Sequence, residues 1–185
     1  MVKILIVLLG YSSFLGSSDA PNPSLLLVPN QVAFHTEAAF PSIPAAVRER
    51  LRSVNCQIPQ PWPRTRLENV VSGHFISLRR VDLAVLCSKS GVSKVLVING
   101  TNGEVIASLN PVSDSHYMQG QGDNRMEFSR RLEAVVPPES GFCLGLDEPC
   151  PCEGSSLDGI LDEFEGKASE THCYRKGWHT VTSGD

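Results

Sequence analysis

At 185 residues and a net charge of -4, the chain has length for one compact domain. It carries no basic stripe able to neutralise phosphates, which excludes a nucleic-acid surface. Thirteen prolines and fifteen glycines spread along it exclude long helices and predict short elements with frequent turns.

Residues 1–20 read as a secretory signal peptide. Lys3 supplies the positive start, the apolar run begins at Ile4 to Leu9 and continues through Phe14 and Leu15, and Gly16-Ser17-Ser18-Asp19-Ala20 supplies the small residues for cleavage. Cleavage after Ala20 would leave Pro21 beyond the scissile bond; cleavage after Ser18 avoids it. No cysteine stands at the junction to take a lipid. The run is too short to span a bilayer comfortably, so the remaining ~165 residues are expected to be secreted or periplasmic, with no membrane association after cleavage. In that compartment cysteines tend to pair.

Residues 21–42 are rich in Pro, Ser and Asn and read as an irregular lead-in, with an edge strand possible at Leu25 to Val28. Residues 43–185 read as a single α+β domain. Ser42-Ile43-Pro44 starts a helix with proline in its first turn. Val47, Leu51 and Val54 follow at i, i+4 and i+7, an apolar stripe among charged neighbours. Arg48, Arg50 and Arg52 fit a solvated helix face better than an anion site. Pro59, Pro61 and Pro63 end any helix, with Trp62 between them packing on the body.

The centre predicts a β-meander. Asn69 to Phe75 and Val81 to Cys87 are strand-like, and Val92 to Ile98 is apolar on both faces, as in a strand covered on both sides. Asn99-Gly100-Thr101-Asn102-Gly103 supplies the turn into a strand at Glu104 to Leu109. Asn110 to Asn124 reads as a polar loop, Arg125 to Val136 as a strand, and 137–154 as a cysteine-bearing loop insertion. Leu157 to Phe164 reads as a short helical turn. Ala168 to Tyr174 and Trp178 to Thr182 read as a hairpin around Arg175-Lys176-Gly177.

Two resemblances attach to these runs. Val71-Ser72-Gly73-His74-Phe75 with Val81-Asp82-Leu83-Ala84-Val85-Leu86 resembles one FG-GAP or VCBS propeller repeat. Such repeats carry an acidic calcium loop, but here the loop is Ile76-Ser77-Leu78-Arg79-Arg80, which leaves Asp82 alone and excludes an oxygen-rich cation site. The motif occurs once, so a propeller is excluded. The helix at Ile43-Pro44, Cys56-Gln57-Ile58-Pro59-Gln60, Asn69 to Gly73, Asp82 to Ser88, Asp158-Gly159-Ile160 and Gly166-Lys167-Ala168-Ser169 together resemble a family of uncharacterised secreted bacterial proteins. That resemblance implies a small extracytoplasmic domain and no particular activity.

The six cysteines are Cys56, Cys87, Cys143, Cys150, Cys152 and Cys173. Cys56 with Cys87 is the expected first pair, tying the end of the helix to the end of a central strand; the pairing of the other four stays open. Cys150 and Cys152 are too close to bond each other without strain. A soft-metal site from Cys150, Cys152, His172 and Cys173 is the alternative, though export favours disulfides.

Asp158 and Asp162, at i, i+4 in an acidic turn with Glu163 and Glu165, have the spacing of a carboxylate pair for acid–base work or for holding a divalent ion; a solvated face explains them as well. Ser72 and Ser88 are available nucleophiles and His74, His116, His172 and His179 available bases, without a nucleophile elbow. Gln119-Gly120-Gln121-Gly122-Asp123 follows a loop and not a strand, so it is not a phosphate fingerprint. Asn99-Gly100-Thr101 is a glycosylation sequon. The sequence thus predicts a disulfide-stapled, non-enzymatic extracytoplasmic module for an unidentified protein or small-molecule partner, without a cofactor. The other reading is a secreted hydrolase working through Asp158 and Asp162 or a histidine.

Overall fold

The computed structural model describes residues 32–63, 65–120, 125–136, 151–152 and 154–184. The signal segment 1–20, the Leu25–Val28 strand, and Cys143 and Cys150 in the insertion lie outside the described residues.

Strand β1 (Ala33–His35) pairs antiparallel with β2 (Ile58–Gln60). Between them helix α1 (Ala45–Ser53) starts directly after Pro44, whose missing N–H falls where a helix offers no acceptor. Val47 and Leu51 are fully buried and Val54 is the C-cap. Asn55 then turns left-handed at φ 55°, so Cys56 N donates to Leu51 O and Asn55 N to Arg52 O, both at 3.0 Å. This is a Schellman closure.

The central antiparallel sheet runs β3 (Val70–Gly73), β4 (Asp82–Lys89), β5 (Val92–Asn99) and β6 (Val105–Ser113), in that spatial order. Ser90 and Gly91 join β4 to β5 at φ 54° and 77°, the two left-handed residues a type I′ turn demands. In the next turn Gly103 takes φ 72°, and a β-carbon there would strike the carbonyl oxygen of Ala46. Glycine lets this hairpin seat against the start of α1.

A ribbon of β7 (Met118–Gly120) and β8 (Met126–Phe128) leads to a second antiparallel sheet. It comprises β9 (Arg130–Val135), β10 (Gly159–Phe164), β11 (Ala168–Tyr174) and β12 (Trp178–Gly184). Alternation along β4 and β5 serves two cores. Leu83, Val85, Leu96 and Ile98 meet Val47, Leu51 and Ile58 on the helix side, whereas Ala84, Leu86, Val95 and Val97 meet Phe128, Leu132 and Ile160. The central sheet is therefore covered on both faces, with helix and β1–β2 ribbon on one side and the second sheet on the other. Among the described residues the fold is mainly antiparallel β with one small α-helix and two disulfides, Cys56–Cys87 and Cys152–Cys173. No described helix is long and apolar enough to cross a membrane.

Four expectations change. The lead-in is structured from Val32 on, with Phe40 buried in the helix-side core. The loop at Asn110 is occupied by the end of β6, a 3-10 turn at Asp114–Tyr117, and β7. The strand after Arg125 breaks at Ser129, whose hydroxyl donates to Tyr117 O at 2.9 Å. The helical turn at Leu157 to Phe164 is instead β10, paired on both sides, with Ile160 opposite Ala134 and His172. Two complete ladders outweigh the local helical spacing.

The two sheets are joined by a polar bolt in their shared core. Arg130 and Asp162 are both fully buried as side chains. Arg130 Nε donates to Asp162 Oδ1 at 2.8 Å and its terminal nitrogens donate to Asp162 Oδ2 at 2.6 Å, Asn110 O at 3.0 Å, Ser93 O at 3.2 Å and Ser93 Oγ at 2.9 Å. All five guanidinium donors are used. Burial alone would raise the Asp162 carboxyl. Hydrogen bonds from Arg130, with the His172 imidazole 3.6 Å away acting in the same sense, hold it well down, at about 2. Burial would weaken the Arg130 cation, and Asp162 more than restores it.

Two outcomes follow. Arg130→Met strands a buried carboxylate and should cost about 3–5 kcal/mol in denaturant unfolding; a loss below about 1 kcal/mol would contradict the bolt. The Asp162 carboxyl is depressed in the folded state, so its contribution of roughly 2 kcal/mol is complete above pH ~4 and disappears as pH falls towards ~2. Asp82 titrates in the opposite sense, since burial raises it. The Asp162 effect is therefore the difference between the parent and Asp162→Asn stability curves, and parallel curves from pH ~5 to ~2 would count against it.

Candidate functional site

The predicted carboxylates do not form an acidic turn. Along a strand, four residues span about 13 Å, so Asp158 and Asp162 serve separate places. Asp158 clips the loop after β3 to the approach to β10: its Oδ2 accepts from His74 N at 2.6 Å, and its own N donates to His74 O at 3.1 Å. The His74 ring, partly exposed, lies 3.6 Å from that same oxygen.

His172 Nδ1 meets Thr180 Oγ1 at 2.9 Å, while its buried Nε2 has no hydrogen-bond partner. Asp162, Glu170 and His172 set one ligand atom each within 4.8 Å. They do not fit a metal, because both Asp162 oxygens are engaged by Arg130 and the guanidinium opposes a second cation.

Cys152 and Cys173 are bonded to each other, and alternation puts His172 on the opposite face of β11 from Cys173. The proposed quartet of Cys150, Cys152, His172 and Cys173 is thereby broken, with Cys150 outside the described residues. In the loop between β3 and β4, Arg80 Nε donates to the buried Asp82 at 2.8 Å. The helix arginines are also committed: Arg48 to the carbonyls of Phe40, Pro41 and Ile43, Arg50 to Gly103 O, and Arg52 to Glu37.

Among the predicted nucleophiles and bases, Ser72 is exposed on β3 and His116 and His179 are exposed. His179 Nε2 lies 3.1 Å from Arg175 O. Ser88 is different. Its hydroxyl donates to Asp114 Oδ2 at 2.5 Å, and both residues are buried. Asp114 is held by its own N–H, which donates to Gly91 O at 2.9 Å. Its second oxygen, Oδ1, is buried without a hydrogen-bond partner.

Asp114 and Ser88 line an open groove of about 530 Å³. Its other walls are Ser90 and Gly91 of the β4–β5 turn, Gln57 before β2, and Val32 and Phe34 of the β1 region. The Cys56–Cys87 bond assembles it. One residue on, Gln57 and Ser88 exchange backbone hydrogen bonds of 3.1 and 2.7 Å, which draws the β1–β2 ribbon to the end of β4. A smaller depression of about 290 Å³ lies between α1 and the β5–β6 turn, where Arg50 is already bound to Gly103 O.

Sequence reasoning singled out Ser88 but missed Asp114 and Phe34. Ser113-Asp114-Ser115 has an ordinary turn composition, and β1 is too short to show a period.

The sequon asparagine is built into its turn. Asn99 is 8% exposed, and its Oδ1 accepts from Thr101 N at 2.9 Å. A glycan would have to grow from the Nδ2 of this largely buried side chain, beside the turn that seats against α1. Protein secreted by a eukaryotic host should therefore carry no glycan at Asn99 in its folded fraction, by intact mass. Full occupancy with unchanged thermal stability would contradict that placement.

No family model matches the chain, no curated protein matches it, and no solved structure matches its fold.

Proposed function

We propose that this chain is an exported, non-enzymatic binding module that takes its ligand in the groove between the β1–β2 ribbon and the β4–β5 turn. One observation carries the reading: a buried carboxylate, Asp114, with one oxygen unpartnered, on the wall of an open groove. Unsatisfied buried polar atoms are costly to a fold, and one on a residue that lines a groove with apolar and polar walls suits a recognition site. The two disulfides suit an oxidising extracytoplasmic compartment. Ser88 donates its hydroxyl hydrogen bond to a carboxylate and has no histidine among its hydrogen-bond partners, so it lacks the imidazole base that commonly activates a serine.

The hydrolase reading keeps one supporting observation, the partly exposed His74 beside Asp158. That carboxylate oxygen is occupied by a backbone N–H at 2.6 Å, and neither residue lines the groove.

The test is a screen of the exported protein against metabolites, sugars and short peptides, read by thermal shift and by amide NMR. Ester, glycoside and peptide substrates run alongside. Ligands should perturb the Ser90 and Gly91 amides, and Phe34→Ala should weaken them about tenfold, as expected for loss of an aromatic wall. Turnover abolished by both His74→Ala and Asp158→Asn would overturn the reading in favour of the hydrolase.

A further inference from the structure

We infer that the ligand of this groove is an organic cation on an apolar stem, an alkylammonium or alkylguanidinium group, received by Asp114. The inference rests on the groove being the binding site and adds the chemistry of what it binds.

The charge pattern is the first ground. Of the five buried carboxylates among the described residues, Glu37, Asp82 and Asp162 are each paired with an arginine, Arg52, Arg80 and Arg130 in turn. Asp114 is as buried, at 5% exposed, yet among the described residues its side chain has a single partner, the neutral hydroxyl of Ser88. No Lys, Arg or His is among the residues described as lining the groove. The missing countercharge is one a ligand can bring.

Geometry is the second. The Asp114 main chain is pinned to Gly91 and its Oδ2 to Ser88, which fixes the carboxylate and leaves Oδ1, itself shielded from solvent, as the acceptor without a partner. A donor with positive charge makes the strongest hydrogen bond to such an oxygen, whereas an anion would meet an uncompensated negative charge. The groove, at about 530 Å³, is far larger than a lone ammonium. Val32 and the 38%-exposed Phe34 supply an apolar wall for a stem, and an aromatic face also attracts a cation. Gln57 and Ser90 add neutral polar groups.

The experiment titrates the exported protein with n-butylammonium, n-butylguanidinium and neutral n-butanol. Blocked peptides carrying a central Lys, Arg, Gln or Glu are titrated in the same way, all followed by the amides of Ser90, Gly91 and Asp114. The cations should bind at least about tenfold more tightly than their neutral counterparts, and the Glu peptide should be weakest. Asp114→Asn keeps the shape and the Ser88 contact, and should erase the preference.

Free cations binding as well as the peptides would identify a small-molecule site; peptides binding better would identify basic side chains of a protein partner. Either result supports the inference. Equal binding of charged and neutral probes to the parent protein overturns it without need of a variant, as does an unchanged preference in Asp114→Asn. Neutral or anionic ligands found in the groove would sink the inference and leave the binding-module reading standing. A groove unresponsive to every probe and to the wider screen would end both.

Discussion

The structure depends on a charge in a place where charge is expensive. Burying an arginine and an aspartate between two sheets is tolerable only when every donor is satisfied. Arg130 achieves this, with five hydrogen bonds to Asp162, Asn110 and Ser93 and its guanidinium 4.5 Å over the Tyr117 ring. Its partners come from β5, β6 and β10, so one side chain joins both sheets. It also specifies register. A one-residue slip of β9 would turn Arg130 to the other face and leave Asp162 buried alone.

Asn69 completes the same junction through backbone groups. It holds a left-handed φ of 69° and is 1% exposed. Its side-chain nitrogen donates to Pro59 O at 2.7 Å and Arg130 O at 3.1 Å, and its oxygen accepts from Leu132 N at 2.9 Å. Its own carbonyl receives Leu86 N at 3.0 Å. One asparagine thus ties β2, β4 and β9, where a plain apolar residue would leave three backbone groups, Pro59 O, Arg130 O and Leu132 N, short of partners. On the other side of the central sheet the Cys56–Cys87 bond performs the corresponding task, and the groove is formed where that bond brings the β1–β2 ribbon to β4.

What the sequence disclosed follows from range. The helix, the β4–β5–β6 meander and the closing hairpin are written in local pattern: the Val47–Leu51–Val54 stripe, strands apolar on both faces, and glycine at the turns. The Cys56–Cys87 bond could be expected because both cysteines end elements whose boundaries are themselves legible. β10 could not. Asp162 interrupts its inward face of Ile160 and Phe164, and its justification is an arginine thirty-two residues earlier in the chain. At short range, Asp158-Gly159 followed by acidic residues reads as a turn. The groove was hidden for the same reason, since Asp114 acquires its character from Ser88 and from a ribbon joined by a disulfide. Both the bolt and the groove are long-range meetings, and periodicity records only neighbours.

The central claim is that the Arg130 bolt makes the two sheets one cooperative body. Native-state hydrogen exchange tests it most directly, read at Val95 and Val97 of β5 and at Leu132 and Ile160 of the second sheet. If the claim holds, these amides open only in global unfolding and share one free energy within about 1 kcal/mol. Exchange from the second sheet at a distinctly lower free energy, with the central sheet still protected, would contradict it.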